Sequence, residues 1–365
     1  MSHYNYESLR RKLNDTWAAT VVETSDKDYE NTNFVGDYLF PRMGWDKDYV
    51  ERGSVNEYVT PMGYINLTES TPMRNNHDTL ARESLTLAMK AEKDQLSMEK
   101  LRWVMMAETI SATQWAELKV DGAKVLSKLN RSLLLRNEIE VWNYLTYGRM
   151  YTMDGVAYGN LKPYALDQTD IATDICFHTR ENWISSGGVI NATATITADI
   201  LSAITAMSSG GFDMPTTIWM NSVTYQCIYG NTTLNTQTLN LYNPIALKGF
   251  LGQDIDWKSK GVKVSSLRPH GLELVVFDSS YRPSSNSATQ IKFLPDYYVV
   301  LTGSKVGNRY VAPNRFNGAK DKWARTYASP NEVPGLFFEV GEYSLPFASN
   351  LDWKSHYVLY VKHTS

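Results

Sequence analysis

AKVLSKLNRSLLLRNEIEVWNYLTYG, residues 123–148, is the stretch on which the fold turns. It is dense in strong helix formers, contains no proline, and closes on Gly148, the residue type best suited to end a helix. The pattern predicts one helix over 123–147, about 37 Å long at about 1.5 Å per residue. Val125, Leu129 and Leu133 mark one apolar stripe, and Leu135, Ile139, Trp142 and Leu145 continue it around the axis. A helix whose buried face drifts in this way is contacted at both ends and serves as a spine.

Upstream, residues 79–117 run through Leu87, Met89, Leu96, Trp103 and Ala107 among good helix formers, with Asp78 or Thr79 as N-cap. One or two helices are expected there. Residues 45–76 alternate short β-type runs at 57–60 and 64–68 with turn residues Gly53, Pro61-Met62-Gly63 and Pro72. No apolar face in this stretch is broad enough for a core, so it reads as an extended hairpin projecting from the body, or as a surface loop. Residues 1–40 are polar, with one amphipathic stretch at 6–17 where Leu9, Leu13 and Trp17 recur at helical spacing. This is an arm that needs a partner.

Downstream, β and loop signals at 151–158 and 171–177 give way to Trp183 and the SSGG of 185–188, where a second unit begins. Thr197 is placed to cap a short helix with Ile200, Leu201, Ile204 and Met207 on one face, ended by a second SSGG at 208–211. Strands are expected at 216–220, 262–265, 273–277 and 292–294, with polar Asn/Thr loops over 231–243, and a strand-rich return at 297–301, 337–341 and 356–362. Segregated helices and strands of this kind make an α+β fold rather than alternating βαβ units.

A chain of 365 residues accommodates two compact domains or one domain with long arms. With 43% hydrophobic and 21% charged residues it is a folding sequence. The net charge of -3 carries no basic excess of the kind that marks general nucleic-acid binders. Cys176 and Cys227 have neither zinc-site nor disulfide-framework spacing and read as buried thiols. No apolar run has the length of a secretory signal or of a membrane span.

Chemistry is thinly marked. The phosphate-cradling glycine loops, HExxH, GxSxG and EF-hand patterns do not occur. The six histidines are scattered; His178 near Asp174 and Cys176 is the best candidate, because strand alternation can put those side chains on one face. Glu138 with Glu140, and Asp46 with Asp48, are imaginable carboxylate pairs, but residues two apart on a helix do not face each other, so solvated charges are the better reading. The sequons at Asn66, Asn191 and Asn231 carry no weight without a secretory signal. Arg10-Arg11-Lys12 reads as the wet face of a short helix before it reads as a nucleic-acid contact. No catalytic, cofactor-binding or metal-ligating residue is assigned.

The order of polar arm, extended hairpin, helical region, spine, β segment, α+β unit and strand-rich return resembles the Hong Kong 97 type fold of tailed-bacteriophage major capsid proteins, and in particular the lambda-like major capsid protein E family. YLFPRMGW at 38–45 is similar to the family's passage into its extended loop, and LLLRNEIEVWNYLTYGRM at 133–150 to its long helix. Trp183, the helix near 199–207, Gly211, Pro215 and the strand at 218–220 look like its entry into the axial domain. LPDYYVVLTGSKVGNRYVAP at 294–313 and YSLPFASNLD at 343–352 resemble its later strands, with the family's glycine matched ambiguously by Gly303 or Gly307.

The resemblance implies an N-terminal arm at 1–40, an extended loop at 41–78, a peripheral domain at 79–189 and 296–365, and an axial domain at 190–295. It implies a non-enzymatic major capsid protein that assembles with copies of itself, as pentamers and hexamers, into an icosahedral shell around double-stranded DNA. The expected partners are a separate scaffolding protein, a portal and a decoration protein, with weak non-specific contact to the packaged DNA and none to membrane. The expected location is the virion, with host cytoplasm during assembly. A nanocompartment shell of the same fold is the alternative, and an enzyme with an unmarked site a remoter one.

Overall fold

The computed structural model describes residues 34–47, 49–54, 81–96, 111–147, 150–151, 157–158, 176–178, 182–185, 188–209, 214–231, 255–257, 262–265, 269–283, 287–303, 306–314, 318, 320–328, 336–348 and 356–362. Its first elements are α1 (Gly36–Leu39), β1 (Arg42–Gly44) and β2 (Tyr49–Ser54). β2 pairs antiparallel with β3 (Ala81–Thr86), in a register running from Tyr49↔Thr86 to Ser54↔Ala81. The two strands form a ribbon that brackets residues 55–80. The β-type runs expected at 57–60 and 64–68 lie outside the described residues, as do the amphipathic stretch 6–17 and the basic run at 10–12.

The spine helix α2 (Ala112–Tyr147) starts eleven residues before the sequence-based boundary. Ser111 and Gln114 form a capping box: the Ser111 hydroxyl accepts from the Gln114 N–H at 3.3 Å, and the Gln114 carboxamide oxygen accepts from the Ser111 N–H at 2.9 Å. Leu118, Leu126, Leu129, Leu133, Trp142 and Leu145 are buried along it.

The helices expected over 79–117 are overturned across β3 and β4 (Ala88–Gln95). The sequence of β4, AMKAEKDQ, is made of helix formers. Its backbone nevertheless pairs with β17 (Leu336–Ala348), in a register from Phe337↔Gln95 to Ser344↔Ala88. Helix propensity differs by no more than about 0.7 kcal/mol per residue among ordinary residues, and a long open strand edge outweighs it. β15 (Gly307–Val311) and β16 (Trp323–Ala328) pair with the other edge of β17, and β1 joins β15 in parallel, giving a five-stranded sheet.

A seven-stranded sheet runs in the order β7 (Cys176–His178), β18 (His356–Tyr360), β14 (Tyr298–Thr302), β8 (Thr217–Met220), β11 (Glu273–Val276), β10 (Val262–Ser265), β9 (Ile255–Trp257). Its central strands are buried on both faces. Trp219, Val275, Val300 and Val358 point into a core shared with the spine helix, while Ile218, Leu274, Val299, Leu301 and Leu359 point into a second core under α3 (Ile196–Ser209) and α4 (Ser222–Tyr229). This is the two-residue alternation of strands read out in packing. Short pairs β5 (Met150–Tyr151) with β6 (Ala157–Tyr158), and β12 (Ser280–Tyr281) with β13 (Ile291–Lys292), complete the described strands.

Smaller expectations need correcting. Thr197 lies inside α3 rather than capping it, and Leu201 is 49% exposed, leaving Ile200, Ala203 and Met207 as the buried face. The strand expected at 292–294 is the two-residue β13. β14 and β18 share the seven-stranded sheet with β8 and β11.

Candidate functional site, a buried ionic lock beneath the spine helix

The two carboxylates Glu138 and Glu140 on the spine helix are not solvated. Glu138 is 2% and Glu140 0% exposed. They diverge, as residues two apart on a helix must, and each recruits a different part of the chain. Glu138 accepts from the Val35 N–H at 3.1 Å, the Gly36 N–H at 2.7 Å and the Trp142 indole N–H at 2.8 Å. Two of these donors belong to the start of α1, whose first amides have no partner within the helix. Gly36 permits the approach: a Cβ there would stand 2.6 Å from a Glu138 carboxylate oxygen.

Glu140 pairs with buried Lys90 of β4 and, at 3.3 Å, with Arg136 one turn back. Lys90 Nζ also donates to Asn137 at 2.8 Å and to Ser344 at 2.9 Å. Glu342 of β17, 0% exposed, accepts from Arg42, from the Asn137 amide at 2.7 Å and from the Ser344 hydroxyl at 2.6 Å. Arg309 of β15 pairs with Asp37 and donates to the Asn137 carbonyl at 3.3 Å. Arg42 reaches Asp321 at 3.1 Å as well. The cations Arg42, Lys90, Arg136 and Arg309 thus meet the anions Asp37, Glu140, Asp321 and Glu342 in near balance, with Glu138 held chiefly by N–H dipoles. A balanced set is what makes burial of charge tolerable.

The protonation states follow the geometry. Burial pushes Glu342 upward, but Arg42, Lys90 and Arg309 outweigh it and hold its carboxyl at about 2. Burial pulls the Lys90 ammonium down against the raising effect of Glu140 and Glu342. For Arg42, burial is outweighed by Glu342, Asp37 and Asp321, and its guanidinium is raised. Glu138 is raised to about 7 by burial, which wins over the Val35, Trp142 and Gly36 donors and Arg309. Its donors suit the ionised carboxylate while its surroundings suit the neutral acid.

These contacts bind together residues 35–42, 90, 136–142, 309 and 342–344. None of the charged residues of this set lines the grooves flanking the spine helix. What the arrangement does is fasten the segment leading out of residues 1–33, and the strand leading into the β2–β3 ribbon, to the body of the protein.

The residues nominated from the sequence fall elsewhere. Asp46 is an exposed partner of Lys320, and Asp48 and Asp174 lie outside the described residues. Cys176 and His178 are described only as backbone, in parallel register with Val358 and Tyr360. Cys227 is buried, and burial raises its thiol to about 11. Asn231 is fully buried, its amide donating to the Asn191 and Ala194 carbonyls, so that sequon is a structural contact. Among the described residues no group of His, Cys, Asp and Glu could hold a metal, and no helix is long and apolar enough to cross a membrane. Sequence reasoning missed Lys90, Arg309 and Glu342; for Arg309 and Glu342 an ionisable residue inside a largely apolar strand was the available signal, and for Lys90, in the helix-like pattern of β4, there was none.

No protein-family model matches the chain, and no curated protein matches it in sequence. Among solved structures, the chain is similar to a protein assigned as a prophage capsid protein of E. coli CFT073, with a TM-score of 0.56 and 10% identity over 94% of this chain and 98% of that one. It is also similar to a phage-related protein of Bordetella bronchiseptica RB50 (TM-score 0.48, 13% identity, 93% and 95% covered). A third match is to the capsid of cyanophage P-SCSP1u (TM-score 0.45, 9% identity, 91% and 89% covered). The E. coli match shows a shared fold over 94% of this chain: the chain has the α+β fold of that assigned prophage capsid protein.

Proposed function

We propose that the chain is the major capsid protein of a tailed phage, assembling as pentamers and hexamers into an icosahedral shell that encloses double-stranded DNA. The observation that carries this reading is the fold shared with the E. coli prophage protein over nearly the full length of both chains. In this reading residues 1–40 are the N-terminal arm, 41–78 the extended loop, 79–189 with 296–365 the peripheral domain, and 190–295 the axial domain. The ionic lock supports it physically. An arm and a loop that gain their order from neighbouring subunits need rigid roots, and Glu138, Arg309 and Arg42 hold both roots on the spine helix and the five-stranded sheet. Many modest contacts repeated by symmetry then close a strong shell.

The working partners are further copies of the chain, a scaffolding protein, a portal and a decoration protein; DNA is contacted weakly, as the near-neutral charge allows. Deleting residues 1–17 is expected to leave a soluble protein that sediments as capsomers or smaller and never as closed shells. Shells of normal size from that deletion would remove the arm from the account. Nucleic acid rather than protein inside full-length particles is the result expected of a phage head.

A further inference from the structure

Along the spine helix, Lys128, Ser132, Leu135, Ile139, Asn143 and Tyr147 recur at steps of three or four residues and so share one face. That face floors a trough about 28 Å long at the helical rise, and the β12–β13 hairpin walls it with Tyr281, Ile291 and Phe293. Two grooves of about 450 and 610 Å³ make up the trough and meet at Tyr281 and Phe293, which line both. Tyr147 and Ile291 are 37% and 40% exposed, and Leu135, Ile139 and Tyr281 are only partly covered. The floor is apolar at Leu135 and Ile139 and polar at Lys128, Ser132 and Asn143, so the trough offers an apolar strip with hydrogen-bonding groups beside it, as a groove for an amphipathic helix does.

The chain itself indicates the occupant. Phe34, where the continuous description begins, stands in the trough, edge-on to Phe293 at a ring distance of 6.0 Å. The residue that follows the segment 1–33 in sequence therefore lies in the trough. Within that segment Tyr6, Leu9, Leu13 and Trp17 follow the same three-and-four spacing as the floor, and Arg11 falls on the opposite side of such a helix. Twelve helical residues span about 18 Å, and the connector of residues 18–33 reaches up to about 53 Å. Both lengths fit.

We propose that residues 6–17 dock in this trough of their own subunit before assembly, with Leu9, Leu13 and Trp17 against the spine-helix floor. The proposal concerns the unassembled chain and stands whether or not the subunit closes into shells. It is tested on the full-length protein carrying Leu13→Cys with Asn143→Cys, oxidised at low concentration and mapped by peptide mass. An intramolecular disulfide should form at least about tenfold faster than in a Leu13→Cys, Leu201→Cys control, whose second site is exposed on α3. In full-length Asn143→Cys alone, adding Leu9→Asp and Leu13→Asp should raise the alkylation rate at residue 143 by about tenfold. Equal disulfide rates in the two pairs, disulfides formed only between chains, or protection of residue 143 that appears only on assembly would each overturn the proposal. The last two outcomes would assign the trough to a neighbouring molecule.

Discussion

Between α3, α4 and the seven-stranded sheet the interior is almost wholly apolar: Ile196, Ile200, Met207, Ile218, Leu274 and Leu301 pack together, and buried Asp199 accepts from the Trp183 indole at 2.8 Å. Between the spine helix and the five-stranded sheet the interior is ionic, with Lys90, Arg309, Glu138, Glu140 and Glu342 all buried. The first core covers one face of a sheet and needs only volume and shape. The second fastens chain segments up to about three hundred residues apart, Arg42 to Glu342 among them, and each contact requires one particular partner. Apolar burial stabilises without choosing among registers, whereas a buried charge penalises every arrangement that leaves it unpaired. The charges sit at residues 35–42, which follow segment 1–33 and lead into the ribbon, and that is where placement would matter most to the shell subunit proposed above.

The sharpest way to break this comparison is to remove one member of the ionic set. Glu342→Ala removes the buried carboxylate shared by Arg42, Lys90 and Arg309 and should cost about 3–5 kcal/mol in urea denaturation. Leu274→Ala in the apolar core should cost about 2–4 kcal/mol by leaving a cavity, with no change in how stability depends on pH. If both variants shifted the pH profile alike, the two cores would not differ in kind.

The pH profile sharpens the contrast further. His356, buried beside Tyr144, is lowered by burial from 6.5 to about 4, so its unfolded form binds the extra proton and stability is lost as pH falls through that range. Glu138 is raised from 4.5 to about 7, so its folded form binds the extra proton and stability is lost as pH rises through that range. The two oppose each other between pH 4.5 and 6.5. Glu138→Gln should remove the alkaline-side loss and leave stability rising with pH by about 2 kcal/mol over this interval, read from denaturation midpoints at a series of pH values. Glu342, lowered to about 2, adds a loss only as pH falls below about 4.5.

Gly36→Ala tests the root of the arm alone, because the added methyl meets the Glu138 carboxylate. About 1–2 kcal/mol is expected by denaturation, together with faster proteolysis near residue 34. The smallest effect belongs to Lys128→Ala, whose exposed bridge to Asp94 at 2.9 Å should matter by less than about 0.5 kcal/mol.

The spine helix was legible because its leucines repeat at helical spacing for several turns; its first residues, 112–117, were read into the preceding helical stretch, and Gly122 concealed that the two are one helix. β4 was illegible in principle from local pattern: Ala88, Met89, Lys90 and Glu92 favour a helix, and the pairing that overrides them comes from residues about 250 positions away. α4 was marked by Asn221, whose side chain accepts from the Thr224 N–H, but SVTYQCIY contains too many β-type residues to stand out. Glu138 and Glu140 were seen as a pair and judged solvated, because nothing local reveals that Val35, Gly36 and Lys90 come to meet them. Long-range ionic contacts leave no periodicity. The order of elements together with the local resemblances, by contrast, pointed to an α+β capsid-type fold, although the helical region in that order is largely β3 and β4.

The most direct measurement is negative-stain electron microscopy of the purified full-length chain, alone and co-expressed with a candidate scaffolding protein. Rings or closed particles of uniform diameter are predicted. A strict monomer under every condition, with scaffolding protein present, would contradict the shell function.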